Sequence, residues 1–273
     1  MVSHCPTRNS RAYLLNHLLR SISGIAKGAG MIEPNMATML AYVLTDLNLP
    51  RQVLEKFLKE AVVDSFNTIS VDGDQSTSDT CLLVSSQRVA SSNDDENEFV
   101  QGLKSVCLGL AEDIVRNGEG TQHVIKCKVT GAPSNIFARD LGRFVCNSNL
   151  VKCAIAGCDP NVGRIVGAIG SFLGTVKGGN ELTKGLTVTM GDIVIFKDGA
   201  FQLDPKKEKI LSDMMFDSQL YPAALPEHDR NYPIHFKNID ISIALGAGGP
   251  GSCIVMGSDL TKEYVEVNAD YRS

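Results

Sequence analysis

A single threonine, Thr38, stands where a polar, proline-containing stretch meets an apolar run, in IEPNMATMLAYV over residues 32–43. A threonine hydroxyl is a weak nucleophile. It gains a general base if the peptide bond before it breaks, because the freed α-amine then lies beside its own Oγ. The reference pKa of an α-amine, about 7.7 to 8.0, suits this task near neutral pH. Cleavage between Ala37 and Thr38 would therefore make Thr38 an N-terminal nucleophile. The alternative is an ordinary loop entering a buried strand.

Two other motifs suggest a bound ligand but fail on their context. GAGGPG over residues 246–251 fits the G-x-G-x-x-G pattern of dinucleotide-binding loops and follows a predicted strand. Pro250 and the apolar SCIVMG replace the helix whose N-terminus would hold a pyrophosphate, so the pattern favours a glycine-rich turn between strands. VDGDQSTSDT over residues 71–80 contains three aspartates, but its glycine and its twelfth position do not match an EF-hand loop.

The histidines and cysteines are not spaced like metal ligands. The five histidines never fall at H-E-x-x-H or His-x-His spacing. Spacing alone leaves a Ser/His/Asp arrangement open, although no G-x-S-x-G marks its nucleophile. The eight cysteines contain no C-x-x-C pair, which predicts reduced and mostly buried thiols in an intracellular protein. The sequence therefore predicts no metal and no cofactor.

The composition indicates a soluble globular protein. The chain has 273 residues, enough for one large or two modest domains, with 43% hydrophobic and 21% charged residues. A net charge of −5 gives no overall attraction to nucleic acid. No apolar stretch approaches the roughly 20 residues that cross a bilayer.

The N-terminal stretch over residues 1–23 differs from the rest. It holds three arginines, several serines and no acidic residue. Leu14, Leu15, Leu18 and Leu19 form one stripe of a predicted helix. This composition is typical of an organellar transit peptide, which would place the protein in the mitochondrial matrix. An ordinary basic amphipathic helix fits equally and would leave the protein in the cytoplasm.

Helix and strand patterns mix irregularly along the chain. Helical periodicity covers 50–67, 99–115, 135–146 and 161–173, and strand patterns cover 81–90, 123–132 and 186–203, the last with a hairpin turn at Asp198-Gly199. Residues 91–98 are predicted to be a solvated connector. A charged segment at 204–217 precedes three further segments at 234–245, 253–259 and 263–271. The absence of strict βαβ alternation predicts an α/β (mixed α+β) layered sandwich.

The cleavage candidate also carries a resemblance to a known family. KGAGMIEPNMATMLAYVLTD over residues 27–46 closely resembles the self-cleavage segment of the ornithine acetyltransferases, the bifunctional glutamate N-acetyltransferases of arginine biosynthesis. The similarity continues in order, from about residue 22 to the end, through SFNTISVDGDQSTSDT (65–80), DIVRNGEGTQHVIKCKVTGA (113–132), NSNLVKCAIAGCDPNVGRI (147–165) and EYVEVNADYRS (263–273).

The resemblance implies a self-processing acetyltransferase with a fold of the N-terminal-nucleophile type. Autocleavage between Ala37 and Thr38 would give an α chain and a β chain that stay together. Thr38 would then take the acetyl group from N-acetylornithine and pass it to glutamate in a two-step scheme. Some members of the family also use acetyl-CoA as the acetyl donor, and no cofactor is implied.

The resemblance also assigns substrate contacts. Lys27 matches a substrate-binding lysine, suited to an amino-acid carboxylate. Glu119 matches a substrate-binding glutamate, suited to the ornithine ammonium, and Asn268 and Ser273 match the remaining contacts. Without the resemblance, Lys27 would be a surface charge, Glu119 a solvated acid at a helix end and Asn268 a turn residue.

The chain departs from the family pattern at three places. Ser273 stands where threonine is common, and Val162 replaces a frequent tryptophan. Relatives also carry a long α region before the Lys27 segment, which supplies the threonine and glycine of an oxyanion hole. We therefore expect a β-chain-like portion that pairs with an α chain and assembles further. Its predicted organisation is an unrelated extension (1–21), a nucleophile-bearing part (22–120) and a C-terminal α/β region (121–273).

Two alternatives remain at the level of sequence. Related self-cleaving aminopeptidases use the same type of fold and a freed N-terminal nucleophile, typically serine. Hydrolysis of peptide amides without transfer to glutamate would support that reading. The second alternative is an inactive truncated chain.

Overall fold

The computed structural model describes residues 2–4, 10–14, 21–33, 39–91, 93–221, 235–246 and 248–269. The chain divides into two compact units, Met1–Val115 and Arg116–Ser273, and each is described by itself. Among the described residues, no helix has the length and apolar character needed to cross a membrane.

The first unit is built on a five-stranded sheet. The strands of this sheet are β1 (Val2–His4), β2 (Ser10–Leu14), β3 (Ser21–Lys27), β4 (Leu40–Asn48) and β6 (Thr80–Ala90). The unit also contains the short strand β5 (Ile69–Ser70), which lies outside this sheet, and the helices α1 (Arg51–Val63) and α2 (Asn93–Arg116). The sheet order is β1-β2-β3-β4-β6. Neighbouring strands are antiparallel except for β4 and β6, which run parallel and are connected through α1.

One face of this sheet is covered by α2. The predicted stripe of this helix is confirmed, since Phe99, Leu103, Val106, Leu110 and Ile114 are all buried. Gly24 of β3 explains the close approach of the helix. A Cβ at that position would lie 2.7 Å from side-chain atoms of both Val106 and Leu110.

Two expectations for the first unit are wrong. Residues 10–14 form β2, which pairs with β3, where the leucine stripe predicted a helix; the other leucines of that stripe lie outside the described residues. The connector predicted at 91–98 is shorter, because α2 begins at Asn93. Acidic residues are favourable in the first turn of a helix, where they interact with its dipole, so the same residues can start a helix as well as end a loop.

The second unit is built on six strands with helices packed against them. Its strands are β7 (Val124–Ala132), β8 (Thr187–Met190), β9 (Ile193–Lys197), β10 (Ala200–Phe201), β11 (Ile239–Ala244) and β12 (Gly251–Ser258), and its helices are α3 (Asn135–Cys146), α4 (Asn149–Ala156), α5 (Val162–Thr175), α6 (Gly179–Leu182), α7 (Pro205–Phe216) and α8 (Lys262–Ala269). These strands follow the order β10-β9-β8-β11-β7-β12. Strand β7 is parallel to β11 and antiparallel to β12.

Helix α3 packs closely on this sheet. A Cβ at Gly142 would lie 2.8 Å from the side chain of Val255 and 3.6 Å from that of Val129. The Ser134 side chain caps the helix by accepting the Phe137 N–H at 3.2 Å. The predicted bounds 135–146 match the helix to the residue.

Both predicted turns of the second unit are present. Asp198 and Gly199 connect β9 to β10 with φ of 51° and 80°, as a tight hairpin requires. The 246–251 segment joins β11 to β12. Its glycines allow close backbone packing, since a Cβ at Gly246 would lie 1.9 Å from the Lys184 carbonyl oxygen and one at Gly249 would lie 2.3 Å from that of Ala132.

Four helices of the second unit were not predicted from the sequence: α4, α6, α7 and α8. The charged segment 204–217 is helix α7, whose Asp204 cap accepts the N–H groups of Lys206 and Lys207, both at 2.9 Å. Helix α4 is capped in the same way by Ser148. In both cases the capping residue was present in the sequence, but the apolar periodicity was too short or too weak to indicate a helix.

Candidate functional site

The segment before Thr38 is anchored by a carboxylate. Asp72 accepts the backbone N–H of Met31 at 2.6 Å and that of Ile32 at 2.9 Å, one with each oxygen. The Ile32 carbonyl accepts the Val71 N–H at 2.6 Å. The loop over 71–80, which sequence spacing excluded as an EF-hand, therefore holds this stretch of backbone in place.

The segment after Thr38 is anchored from the other end of the same loop. Asp79 Oδ1 accepts the backbone N–H of Met39, and the Met39 carbonyl accepts the Thr80 N–H at 2.9 Å. Burial raises the pKa of the Asp79 carboxyl, while the Met39 N–H lowers it. Ala37 and Thr38 themselves lie outside the described residues. The described structure thus fixes the chain on both sides of the predicted cleavage bond.

Lys27 is the last residue of β3 and is exposed. In the register of β3 and β4 it lies opposite Leu40, two residues after Thr38. Its ammonium group makes no ion pair or hydrogen bond with the part of the chain that the structure describes. It is available for an anion near the start of β4.

In the second unit, the structure brings together two residues that are distant in sequence. Asn268 Nδ2 donates to Glu119 Oε2 at 3.1 Å and also to the Tyr264 carbonyl at 3.0 Å. Asn268 is exposed and Glu119 is half-buried. The second carboxylate oxygen of Glu119 can still accept hydrogen bonds, and a cationic ligand would satisfy it well.

The start of α8 holds this pair together. Thr261 Oγ1 donates to the Gly120 carbonyl at 2.7 Å and accepts the Tyr264 N–H at 3.2 Å, which links the loop containing Glu119 to the first turn of the helix. Gly120 has a φ of 62°, and a Cβ there would lie 2.4 Å from the Tyr264 nitrogen. Only glycine allows this contact without displacing the backbone. Ser273 lies outside the described residues.

A buried His–Asp pair was missed by sequence reasoning. His123 Nδ1 lies 2.8 Å from Asp259 Oδ2, and both side chains are fully buried. The other ring nitrogen lies 3.2 Å from the Met215 carbonyl and 3.7 Å from the Cys158 sulfur. Burial raises the pKa of the Cys158 thiol, and the negative charge of Asp259 raises it further, so the environment favours a neutral thiol over a nucleophile. We interpret the pair as a connection between β7 and the end of β12.

No group of three or more metal-ligating side chains (His, Cys, Asp or Glu) that could hold an ion occurs among the described residues. Glu119, Lys27 and Asn268 supply one anion, one cation and one amide. Lys27 belongs to the first unit and the Glu119–Asn268 pair to the second.

Comparison with known proteins identifies the family. The model of the ArgJ family matches residues 7–273. The chain belongs to the ArgJ family. The family assignment confirms the resemblance seen in the cleavage segment and in the four motifs that follow it.

Two curated relatives give the extent of the similarity. The chain is 38% identical over 256 residues to a glutamate N-acetyltransferase of Methanopyrus kandleri, covering 93% of this chain and 60% of that protein. It is 37% identical over 266 residues to an arginine biosynthesis bifunctional protein ArgJ of Ruegeria pomeroyi, covering 97% and 58%. The chain therefore spans about three-fifths of the length of these ArgJ relatives.

The fold is shared with a solved member of the family. The crystal structure of an arginine biosynthesis bifunctional protein ArgJ from Bacillus halodurans matches with a TM-score of 0.69 and 29% identity. The match covers 84% of this chain and 98% of that one. The predicted α/β fold class is confirmed.

Proposed function

We propose that the chain is the nucleophile-bearing portion of an acetyltransferase of arginine biosynthesis, which transfers acetyl from N-acetylornithine to glutamate. The observation that carries this proposal is the ArgJ match over residues 7–273, which includes the predicted cleavage segment and every predicted substrate contact. The names of two relatives at 37–38% identity support it. Since the chain spans only part of their length, the activity of the whole protein is a proposal here.

Self-cleavage before Thr38 is the first step of the proposed function. The Thr38 hydroxyl attacks the Ala37 carbonyl carbon, the Ala37–Thr38 C–N bond breaks, and the hydroxyl proton ends on the freed amine. Water then hydrolyses the resulting ester, which leaves an Ala37 carboxylate and a free Thr38. The backbone anchors at Met31, Ile32 and Met39 support this step, because a fixed scissile segment needs less ordering to react.

Acetyl transfer then uses the new N-terminus. The α-amine accepts the Thr38 hydroxyl proton while Oγ attacks the acetyl carbon of N-acetylornithine, and ornithine leaves with a proton. The amine of glutamate attacks the acetyl-threonine ester, which forms N-acetylglutamate and returns the hydroxyl. In this scheme acetyl-CoA is an alternative first donor, because its thioester presents the same acetyl carbon.

The predicted substrate contacts have complementary charges. Glu119 would bind the side-chain ammonium of ornithine, and Asn268 would orient the Glu119 carboxylate through the observed hydrogen bond. Lys27 would bind a substrate carboxylate, and Ser273 would supply a hydroxyl contact. An amino-acid substrate offers both signs of charge, and Lys27 and Glu119 would each recognise one of them.

The proposed partner is an α chain of the same enzyme, as the family resemblance implies. The uncovered face of the first sheet presents five apolar side chains at 42–50% exposure, from β3, β4 and β6: Ile25, Tyr42, Leu44, Leu82 and Val84. They form neighbouring rows in the strand register, with Ile25 opposite Tyr42 and Leu44 opposite Val84. A continuous apolar face of this kind is typical of an interaction surface.

The cellular location stays a prediction, mitochondrial or cytoplasmic. The pairing of β2 with β3 weighs against removal of the Arg-rich start as a transit peptide, because removal would take a strand from the sheet. We therefore favour a cytoplasmic location.

The proposal is tested by intact-mass analysis and a transfer assay. The purified chain is compared with Thr38→Ala, alone and co-expressed with the α region of the Methanopyrus relative. We expect a fragment beginning at Thr38 in the parent chain and none in the variant. Labelled acetyl should then move from N-acetylornithine to glutamate only in cleaved samples.

Other outcomes would contradict the proposal in distinguishable ways. Cleavage followed by hydrolysis of peptide amides, without acetyl transfer, would support the aminopeptidase alternative. An uncut chain in both settings would show that Thr38 is no nucleophile in this protein. Transfer by Thr38→Ala at the parent rate would exclude the proposed intermediate.

A further inference from the structure

A side-chain thiol and a backbone carbonyl converge on the buried ring of His123. Its Nε2 lies 3.7 Å from Cys158 Sγ and 3.2 Å from the Met215 carbonyl oxygen. All three residues belong to the second unit. They come from three separate segments: the residue before β7, the turn after α4 and the last turn of α7. The Gln219 side-chain amide lies 3.8 Å from the same sulfur.

The hydrogen-bond roles of the His123 ring leave one of these contacts unexplained. An ionised Asp259 can only accept, so the Nδ1 atom, 2.8 Å from Asp259 Oδ2, carries the ring proton. The Nε2 atom of a neutral ring then presents a lone pair to the Met215 carbonyl, which is also an acceptor. Two acceptors 3.2 Å apart repel each other unless a positive charge lies between them. A second ring proton or a bound cation would supply that charge.

The spacing of the three donor atoms fits a tetrahedral metal ion. Zinc binds sulfur at about 2.3 Å and histidine nitrogen at about 2.0–2.1 Å. At a tetrahedral angle these lengths place sulfur and nitrogen about 3.5–3.6 Å apart, and nitrogen and oxygen about 3.4 Å apart. The observed separations are 3.7 Å and 3.2 Å. The hydrogen bond from His123 to Asp259 is also the kind that fixes the tautomer of a metal-binding histidine.

The electrostatics at this place favour a cation over an anion. Met215 lies in the last turn of α7, and Cys158 lies two residues after the end of α4, where each helix dipole is negative. Burial and, after it, the negative charge of Asp259 raise the pKa of the Cys158 thiol. The negative charge that disfavours a free thiolate also attracts a metal ion. Binding of the ion would release the thiol proton to solvent and leave the sulfur as a thiolate ligand.

A cavity gives access to the Cys158 thiol. It has a volume of about 440 Å³, and Asp159, Glu208 and Asp213 line it together with Cys158. Of the described residues that line it, Lys209 is the only cation, and its ammonium already lies 3.0 Å from Asp213 Oδ2. The charged side chains around the cavity therefore carry a net negative charge, which would raise the local concentration of cations.

We propose that Cys158 Sγ, His123 Nε2 and the Met215 carbonyl form a binding site for a zinc-like divalent cation. A mixed set of sulfur, nitrogen and oxygen donors suits this class of ion. Residue spacing could not reveal the site, because its two side chains are 35 positions apart and its third ligand is a main-chain atom. The ion would clamp the start of β7, the turn after α4 and the end of α7 together. The site is independent of the proposed acetyl transfer.

The test titrates the purified full chain with Co²⁺ after treatment with a chelator. Cobalt takes the same ligands as zinc, and a thiolate bound to it gives an intense near-ultraviolet absorption. Cys158→Ser is the main variant, because serine keeps the size of the side chain but supplies no thiolate. Cys153→Ser is the matched control, since Cys153 is an exposed thiol on α4. Circular dichroism verifies that each variant is folded.

We expect the parent chain and Cys153→Ser to bind one equivalent of Co²⁺ with the thiolate absorption, and Zn²⁺ to displace it. Cys158→Ser should lose the absorption. Asp259→Asn should weaken binding about tenfold or more, the usual effect of removing a carboxylate that orients a histidine ligand. Zn²⁺ should raise the Tm of the parent chain but not that of Cys158→Ser, because a ligand that binds only the folded state stabilises it.

Three results would overturn the proposal. A parent chain without the thiolate absorption would mean that a second ring proton, and no metal, lies between His123 and Met215. Absorption that persists in Cys158→Ser would place the ion at another thiol. An unchanged affinity in a folded Asp259→Asn variant would remove His123 from the ligand set.

Discussion

Asn268 Nδ2 donates a 3.1 Å hydrogen bond to Glu119 Oε2 across 149 positions of sequence. The amide makes a second bond to the Tyr264 carbonyl, one turn earlier in α8. The side chain that orients Glu119 is thus itself fixed by the helix. A carboxylate oriented in this way loses less conformational freedom on binding a cation than a free surface glutamate does.

Glu119→Gln should weaken binding of N-acetylornithine while preserving the local structure. Glutamine keeps an oxygen for Asn268 but loses the charge that would bind an ammonium. A hydrogen bond to a charged group contributes about 1.5–3 kcal/mol, so the Kd should rise roughly tenfold or more. Calorimetric titration of the cleaved protein with N-acetylornithine measures this, with the exposed Glu208→Gln as control. Equal affinities of Glu119→Gln and the parent would exclude Glu119 from the site.

Gly120→Ala should destabilise the second unit. The φ of 62° disfavours any side chain, and the added Cβ would meet the Tyr264 backbone at 2.4 Å. We expect a loss of more than about 1 kcal/mol in the free energy of unfolding. Gly167→Ala is the matched control, because a Cβ there has nothing within 4 Å and alanine favours the helix. Urea unfolding should show a lower free energy of unfolding for Gly120→Ala and no loss for Gly167→Ala.

The sequence predicted most elements because their patterns are local. The α2 stripe from Phe99 to Ile114 and the hairpin at Asp198-Gly199 depend on neighbours within a few residues, and both are confirmed. Helix α7 was not predicted, because its charged residues obscure the apolar periodicity on which a helix prediction depends. The start of α2 was predicted too late in the sequence, because Asp and Asn favour both loops and helix caps.

The site was predictable only in part, for a related reason. The resemblance indicated Glu119 and Asn268, but no spacing rule connects residues 149 positions apart, so their hydrogen bond required the structure. The anchoring roles of Asp72 and Asp79 were equally hidden, because both residues act on backbone N–H groups about 40 positions away. The prediction that Thr38 is the nucleophile is not tested by the described residues.

His123→Ala should destabilise the second unit strongly. The substitution leaves the buried Asp259 carboxylate without its partner at 2.8 Å, and an unsatisfied buried group costs about 1–3 kcal/mol or more if charged. Asp259→Asn should cost less, because an amide oxygen can still accept the ring N–H. Thermal unfolding of the two variants shows which of them loses more stability. A His123→Ala variant as stable as the parent would contradict the interpretation of this pair as a structural connection.

The cysteines should differ sharply in their reaction with an alkylating reagent. Cys153 is exposed, whereas burial raises the pKa of Cys81 to about 11 and that of Cys107 still further. Because the thiolate is the reactive form, Cys153 should be modified before Cys81 and Cys107 at mildly alkaline pH. Peptide mapping after timed iodoacetamide treatment measures the order in which the cysteines are modified. Unfolding in urea should make their modification rates equal. Early modification of Cys107 in the folded protein would contradict the described packing.

Asp79→Asn should stabilise the uncleaved chain at neutral pH, tested in a Thr38→Ala background. Burial raises the pKa of Asp79 above its ordinary value of 3.8 in the folded chain, so the folded state binds the proton more tightly than the unfolded state. The contribution of Asp79 to stability is therefore fully present below 3.8 and is lost as the pH rises through the folded pKa.

The pH dependence separates this effect from a simple change in packing. The advantage of Asp79→Asn should be largest at neutral pH and shrink in acid, whereas Asp72→Asn should destabilise, since both Asp72 oxygens accept N–H groups. Urea unfolding across a pH series measures both. A destabilised Asp79→Asn at neutral pH would contradict the prediction.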